Sequence, residues 1–135
     1  MKNKGFTLIE LLAVIVILAI IALIATPIVL GIIDDARQSS REQSAEYIIN
    51  NVELAYSTAY MKSYADKDAG AVPKVSHVLE EFKMDGATVD AAAKTITAEG
   101  VECTISDASG LLTTTCAVTG SEKTFATSVS MELAS

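Results

Sequence analysis

Glu10 is the side chain whose type and position are hardest to explain as plain scaffold. It is the only charge in the 28-residue, predominantly apolar run from Phe6 to Ile33. A carboxylate in such a span costs on the order of 3 kcal/mol on insertion scales, and residues of this kind usually mark function. Its bland role is that of an acid near a membrane edge that reaches the headgroups. Phe6 lies four residues earlier and therefore on the same helix face. Cys103 and Cys116 are the only cysteines, so they either join or stay as two free buried thiols. Other chemistry is poorly supported. His77 is the single histidine, and although Ser and Asp abound, no nucleophile motif surrounds it; it is read as a surface residue. One histidine and two cysteines without zinc spacing make no metal site. No catalytic residue, metal or cofactor is expected.

The element that must position Glu10 is the stretch GFTLIELLAVIVILAIIALIATPIVLGII, Gly5 to Ile33. Phe6 to Ala25 would span about 30 Å as a helix, the thickness of a hydrocarbon core. Backbone groups there must bond internally, which dictates a helix. Lys2 and Lys4 precede the run, and Asp34 and Asp35 follow it. The basic side stays in the cytoplasm, so the bulk of the chain is exported. The run is too long for the core of an ordinary secretory signal, and no A-x-A site closes it.

The string KGFTLIEL, residues 4–11, resembles the processing site of a type IV prepilin. The resemblance is close from Lys4 to about Ile33 and loose from Asp34 to Tyr64; beyond that it is architectural only. It implies a leader of residues 1–5 removed by a prepilin peptidase, with cleavage between Gly5 and Phe6 and N-methylation of Phe6. Cleavage would create a positive α-amine on Phe6 that can pair with Glu10, within one chain or between chains staggered along a filament. In a low-dielectric bundle either partner alone is penalised, so the pair would set the register.

Further implications of the resemblance are a homo-oligomeric helical filament, a platform membrane protein and a cytoplasmic assembly ATPase. The precursor would sit in the cytoplasmic membrane with its N-terminus inside, and the product would be an extracellular pilus on a bacterial surface, serving adhesion, motility or a related task. A pseudopilin of a type II secretion or competence DNA-uptake machine is the alternative within the family. A membrane-tethered binding domain that never polymerises is the alternative from another class. The exported part, 34–135, carries 8 Lys+Arg against 16 Asp+Glu, a balance that opposes a broad nucleic-acid surface.

Pro27 cannot donate to the Leu23 carbonyl and its ring crowds it, so a kink or melted turn is expected there, with Gly31 four residues on. Such a bend either aims the exported domain or, as the resemblance implies, lets the helix stretch in a filament. After the apolar segment 6–33, the segment 34–64 continues as an amphipathic helix. Ala45, Ile48, Ile49, Val52, Ala55, Tyr56 and Ala59 make one apolar stripe that needs a sheet to cover. Tyr47 points off that stripe and is the better interface candidate. Segment 65–93 reads as a connection holding a two-turn helix, with Val75, Val78, Leu79 and Phe82 on one face and Asp85-Gly86 as its stop.

From Lys94 the period changes to two. Strands are predicted at Thr95–Ala98, Val101–Ser106, Leu111–Val118 and Thr124–Leu133, with turns at Asp107–Gly110 and Thr119–Glu122. Segment 94–135 is thus an antiparallel sheet of roughly four strands. The fold class is α+β, a long N-terminal helix packed on that sheet, and it matches the globular domain of pilins. If residues summing to 219 pair across the central hairpin, Cys103 faces Cys116 within disulfide range. Export makes oxidation plausible.

Overall fold

The computed structural model describes residues 5–65, 73–108, 110–126 and 131–132. The chain divides into two compact units, Met1–Arg37 and Gln38–Ser135. Helix α1, Leu8–Ala65, supplies elements to both.

In the first unit α1 is apolar all round. Large side chains from Leu8 to Ile33 are exposed on every face of the helix, and it is long and apolar enough to cross a membrane. Among the described residues no packing covers these side chains, a surface suited to lipid or to other helices. Pro27 lies inside α1, and the helix runs through Pro27 and Gly31 without a break. The turn at Pro27 is helical here rather than melted. Proline removes one donor from the ladder, while the Thr26 hydroxyl donates to the neighbouring Ala22 carbonyl at 2.7 Å.

In the second unit the amphipathic part of α1 meets a sheet. Ala45, Ile48, Val52, Ala55 and Ala59 are buried, and Ile49 and Tyr56 pack partly buried beside them. Helix α2, Val75–Glu81, adds Val75, Val78 and Leu79 to the core, and Phe82 follows. Among the described residues there are six strands: β1 Thr88–Asp90, β2 Thr95–Ala98, β3 Val101–Ser106, β4 Leu111–Val118, β5 Thr124–Ala126 and β6 Met131–Glu132. The order is β1-β2-β3-β4-β5, with β6 also paired to β4. Every pairing is antiparallel. The fold is α+β: a long N-terminal helix on an antiparallel sheet.

Two details depart from the sequence reading. β1 falls in the segment taken as a connection; it is three residues long and exposed throughout, so it carries no alternation to read. The last strand, expected as Thr124–Leu133, is described in two parts, β5 and β6, with different partners on β4. β5 pairs with Thr115–Ala117, and β6 pairs with Leu111 and Leu112. Residues 127–130 and Leu133 lie outside the described residues, as do 66–72 at the start of the expected connection.

The central hairpin follows the period-two rule. Val101, Cys103 and Ile105 of β3 are buried in alternation with exposed neighbours, as are Leu112, Thr114, Cys116 and Val118 of β4. Cys103 and Cys116 stand opposite in the register and are joined by a disulfide, with Cα atoms 4.0 Å apart. The bond lies on the inner face, where Cys116 Sγ sits 3.9 Å from the Ala45 carbonyl oxygen of α1. Joining residues 13 apart in sequence contributes about 3 kcal/mol in the chain-entropy picture. Replacing both cysteines by alanine removes the cross-link without stranding a buried hydroxyl. In a fragment 38–135 that change is expected to lower Tm by roughly 10 °C or more. An unchanged melting curve in a calorimeter would contradict a stabilising role.

Thr114 breaks the apolar rule of that face. It is fully buried, and among the described residues its hydroxyl has no hydrogen-bond partner. An orphaned buried hydroxyl costs about 1–3 kcal/mol, and valine has nearly the same shape. Thr114→Val should therefore raise Tm by several degrees; a lower Tm would mean that the hydroxyl has a partner.

Where α1 enters this unit, two polar residues hold the sheet's turns. Glu42 accepts from Lys123 Nζ and the Ser121 hydroxyl, each at 3.1 Å. These bonds, Lys123's first, hold the Glu42 carboxyl below its ordinary value. Their small contribution is present at neutral pH and lost as acid protonates Glu42. Arg41 donates from a guanidinium nitrogen to the Thr119 carbonyl at 3.3 Å. Its side chain crosses Gly100 so closely that a Cβ there would lie 2.5 Å from the guanidine Nε. Gly100 also has φ +73°, so both space and backbone demand glycine.

Candidate functional site

The chain's chemistry concentrates at the start of α1. Leu8 is the first helical residue and Thr7 directly precedes it. The Thr7 backbone N–H donates to Glu10 Oε2 at 3.0 Å, and the Glu10 backbone N–H donates to Thr7 Oγ1 at 3.3 Å. This reciprocal pair is a capping box: two backbone donors orphaned at a helix start are satisfied by the side chains at the cap and three residues on. The carboxylate also lies at the positive end of the helix dipole. Its signature T-x-x-E before an apolar run was present in the sequence as Thr7-Leu8-Ile9-Glu10. Inside so long an apolar run the same acid also reads as a charge misplaced in lipid, which hides its role at the helix start.

The other predicted residues fall as follows. Phe6 is 83% exposed and immediately precedes Thr7. Gly5 is the first described residue; a Cβ built on it meets nothing within 4 Å, and its backbone is not left-handed. Nothing in the described fold therefore requires glycine at this position. A Cβ on Gly31 likewise meets nothing. Residues 1–4, with Lys2 and Lys4, lie outside the described residues. Cys103 and Cys116 are far along the chain in the hairpin and form a structural cross-link beneath α1. They are not part of the N-terminal cluster.

In the second unit, Tyr47 is 56% exposed, off the buried stripe as its spacing predicts. Tyr60 stacks on Tyr56 with ring centroids 6.3 Å apart. His77 is exposed on α2.

Chemically, the N-terminal arrangement leaves Gly5 and Phe6 both exposed. Four residues on, it holds a carboxylate with one oxygen engaged. Among the described residues Glu10 Oε1 carries no bond. It can accept from a cation brought to the helix start. Residues 1–26 match the family model described as the prokaryotic N-terminal methylation motif. No curated protein and no solved structure matches the chain.

Proposed function

That motif is the class III signal of type IV prepilins, and from this premise we propose that the chain is a structural subunit of a type IV pilus. The matched signal supports an exported protein of the pilin or pseudopilin type and implies processing by a prepilin peptidase. The signal and the apolar helix fit a membrane-anchored precursor.

In the proposed reading the peptidase cuts between Gly5 and Phe6, and Phe6 is N-methylated. Mature copies leave the membrane, by way of a platform protein and an assembly ATPase, into a helical filament displayed on the cell surface. One observation carries it: the processing signal stands directly ahead of a helix whose apolar side chains are uncovered all round. Such a helix needs lipid before assembly and other helices after it. Phe6 and Glu10 supply the pairing between subunits. Pro27 and Gly31 supply the weak point at which the helix can lengthen on packing, since Pro27 has already removed one ladder bond. The exported unit carries no role beyond display in this reading.

The test is mass spectrometry and negative-stain microscopy on sheared surface material. The expected main component is a chain that begins at N-methylated Phe6, in filaments. A full-length chain that stays in the membrane, with no filaments, would replace the proposal with a tethered, non-polymerising domain. A processed chain found only at low copy number would point to a pseudopilin.

A further inference from the structure

We propose that Thr7 is the positioning residue for Glu10. The inference rests on the reading of Glu10 as the partner of the Phe6 amine. It starts from the reciprocal bonds between Thr7 and Glu10, 3.0 Å and 3.3 Å. Both bonds lie beyond the Gly5–Phe6 bond, so both survive cleavage. The same clasp therefore holds the carboxylate in precursor and product.

Three consequences follow from the geometry. In the precursor, Glu10 is not a bare charge in an apolar span: it takes a charge-assisted bond from a backbone N–H. Its side chain is folded back toward the helix start, with one oxygen on Thr7 and the other open. And the amine that cleavage creates is one residue from Thr7. Consecutive backbone nitrogens are at most about 3.6 Å apart, so the Phe6 nitrogen lies within roughly 6–7 Å of Glu10 Oε2, given the 3.0 Å bond to Thr7. Thr7 thus aims the carboxylate at the place where the ammonium appears, leaving Oε1 to receive it from the same chain or from a neighbour. Without the Thr7 hydroxyl the Glu10 backbone N–H loses its acceptor, and the side chain is free to take other rotamers.

Proximity can be read directly in the full chain. A membrane-permeant carbodiimide couples a carboxylate to an adjacent amine with loss of one water, which the reagent takes up as it becomes a urea. Applied to membranes and filaments from the producing cell, it should join Phe6 to Glu10, and mass spectrometry of peptides from processed chains gives the yield. Thr7→Val keeps the shape and removes the hydroxyl; Thr7→Ser keeps the hydroxyl. The expected result is that coupling per processed chain falls roughly fivefold in Thr7→Val, about what losing an N-cap bond implies, and returns in Thr7→Ser. If valine slows the peptidase, Thr7→Ala is read in the same way.

A residue that merely supports the helix would not change the coupling ratio among processed chains. Equal coupling in wild type, Thr7→Val and Thr7→Ala would overturn the inference while leaving the Phe6–Glu10 pairing intact. No coupling in the wild type would instead overturn that pairing, and this inference with it.

Discussion

Gly5→Val should leave the chain at its full 135-residue mass, embedded in the membrane and absent from any filament. The argument runs through what Gly5 does not do. A glycine is commonly kept where its backbone is left-handed or where another group sits against its Cα, as at Gly100, where φ is +73° and Arg41 lies across the residue. Gly5 meets neither condition: its backbone is not left-handed and a Cβ would touch nothing. Valine at this position costs the described fold nothing. Any effect of the substitution must arise in something that binds the chain there, and the matched signal names a prepilin peptidase. A narrow subsite beside the scissile bond would exclude a branched side chain, and loss of processing should be near complete. Mass spectrometry of membrane fractions decides the matter. A mature chain beginning at Phe6 in normal amount would remove Gly5 from the processing site.

Glu10→Ala should yield processed monomer in the membrane and few or no filaments. The exported unit folds around its own core, and Glu10 is not among its residues. Insertion should be at least as favourable as before, because an acid has left an apolar span. Cleavage should largely persist, since the substitution lies beyond the scissile bond. What is lost, on the proposed pairing, is the partner of the Phe6 ammonium, a penalty of a few kcal/mol for an unpaired charge in a greasy bundle, repeated at every subunit.

The capping box complicates the reading of that variant, because alanine also removes the acceptor for the Thr7 N–H. Glu10→Gln separates the two effects. Glutamine at the third helical position still completes the box but carries no charge. Filament counts by microscopy should therefore be low in both variants if charge pairing governs assembly. Wild-type counts in Glu10→Gln, with loss only in Glu10→Ala, would assign Glu10 to helix capping instead. Wild-type counts in both would return it to the headgroups. Glu10→Asp should restore some filaments, with the charge kept and the reach shortened.

Sequence pattern alone was enough for the parts of this molecule that obey one period over many residues. The stripe from Ala45 to Ala59 is buried where a 3.6-residue repeat places it. β2, β3 and β4 have the boundaries that alternation predicts, and the alternation also brings Cys103 to Cys116. What could not be read is short or non-local. β1 has three residues, all exposed, too few to repeat anything. The shift in register on β4 between β5 and β6 has no mark in the sequence. Arg41 reads from its spacing as a solvated charge, yet it lies over a glycine in a distant turn. Thr114 reads as one more β-branched residue, and only the register puts its hydroxyl in the core. Thr7 differs from all of these: its signal is local and legible, but the apolar run around it points to lipid more strongly than to a helix end.

The position of the disulfide under α1 fixes an order of events. Both sulfurs are completely buried, and one of them lies against the Ala45 carbonyl. Sulfur exchange proceeds by attack of a thiolate along an open path to the bond, and in the folded unit α1 closes that path. Oxidation is therefore least hindered while the hairpin is still bare, before the helix settles on it. From then on the cross-link is kinetically locked, and a reductant reaches it only as often as the unit opens. A cell that exports this chain finds the sulfurs open before the helix settles, and afterwards any exchange waits on opening of the unit.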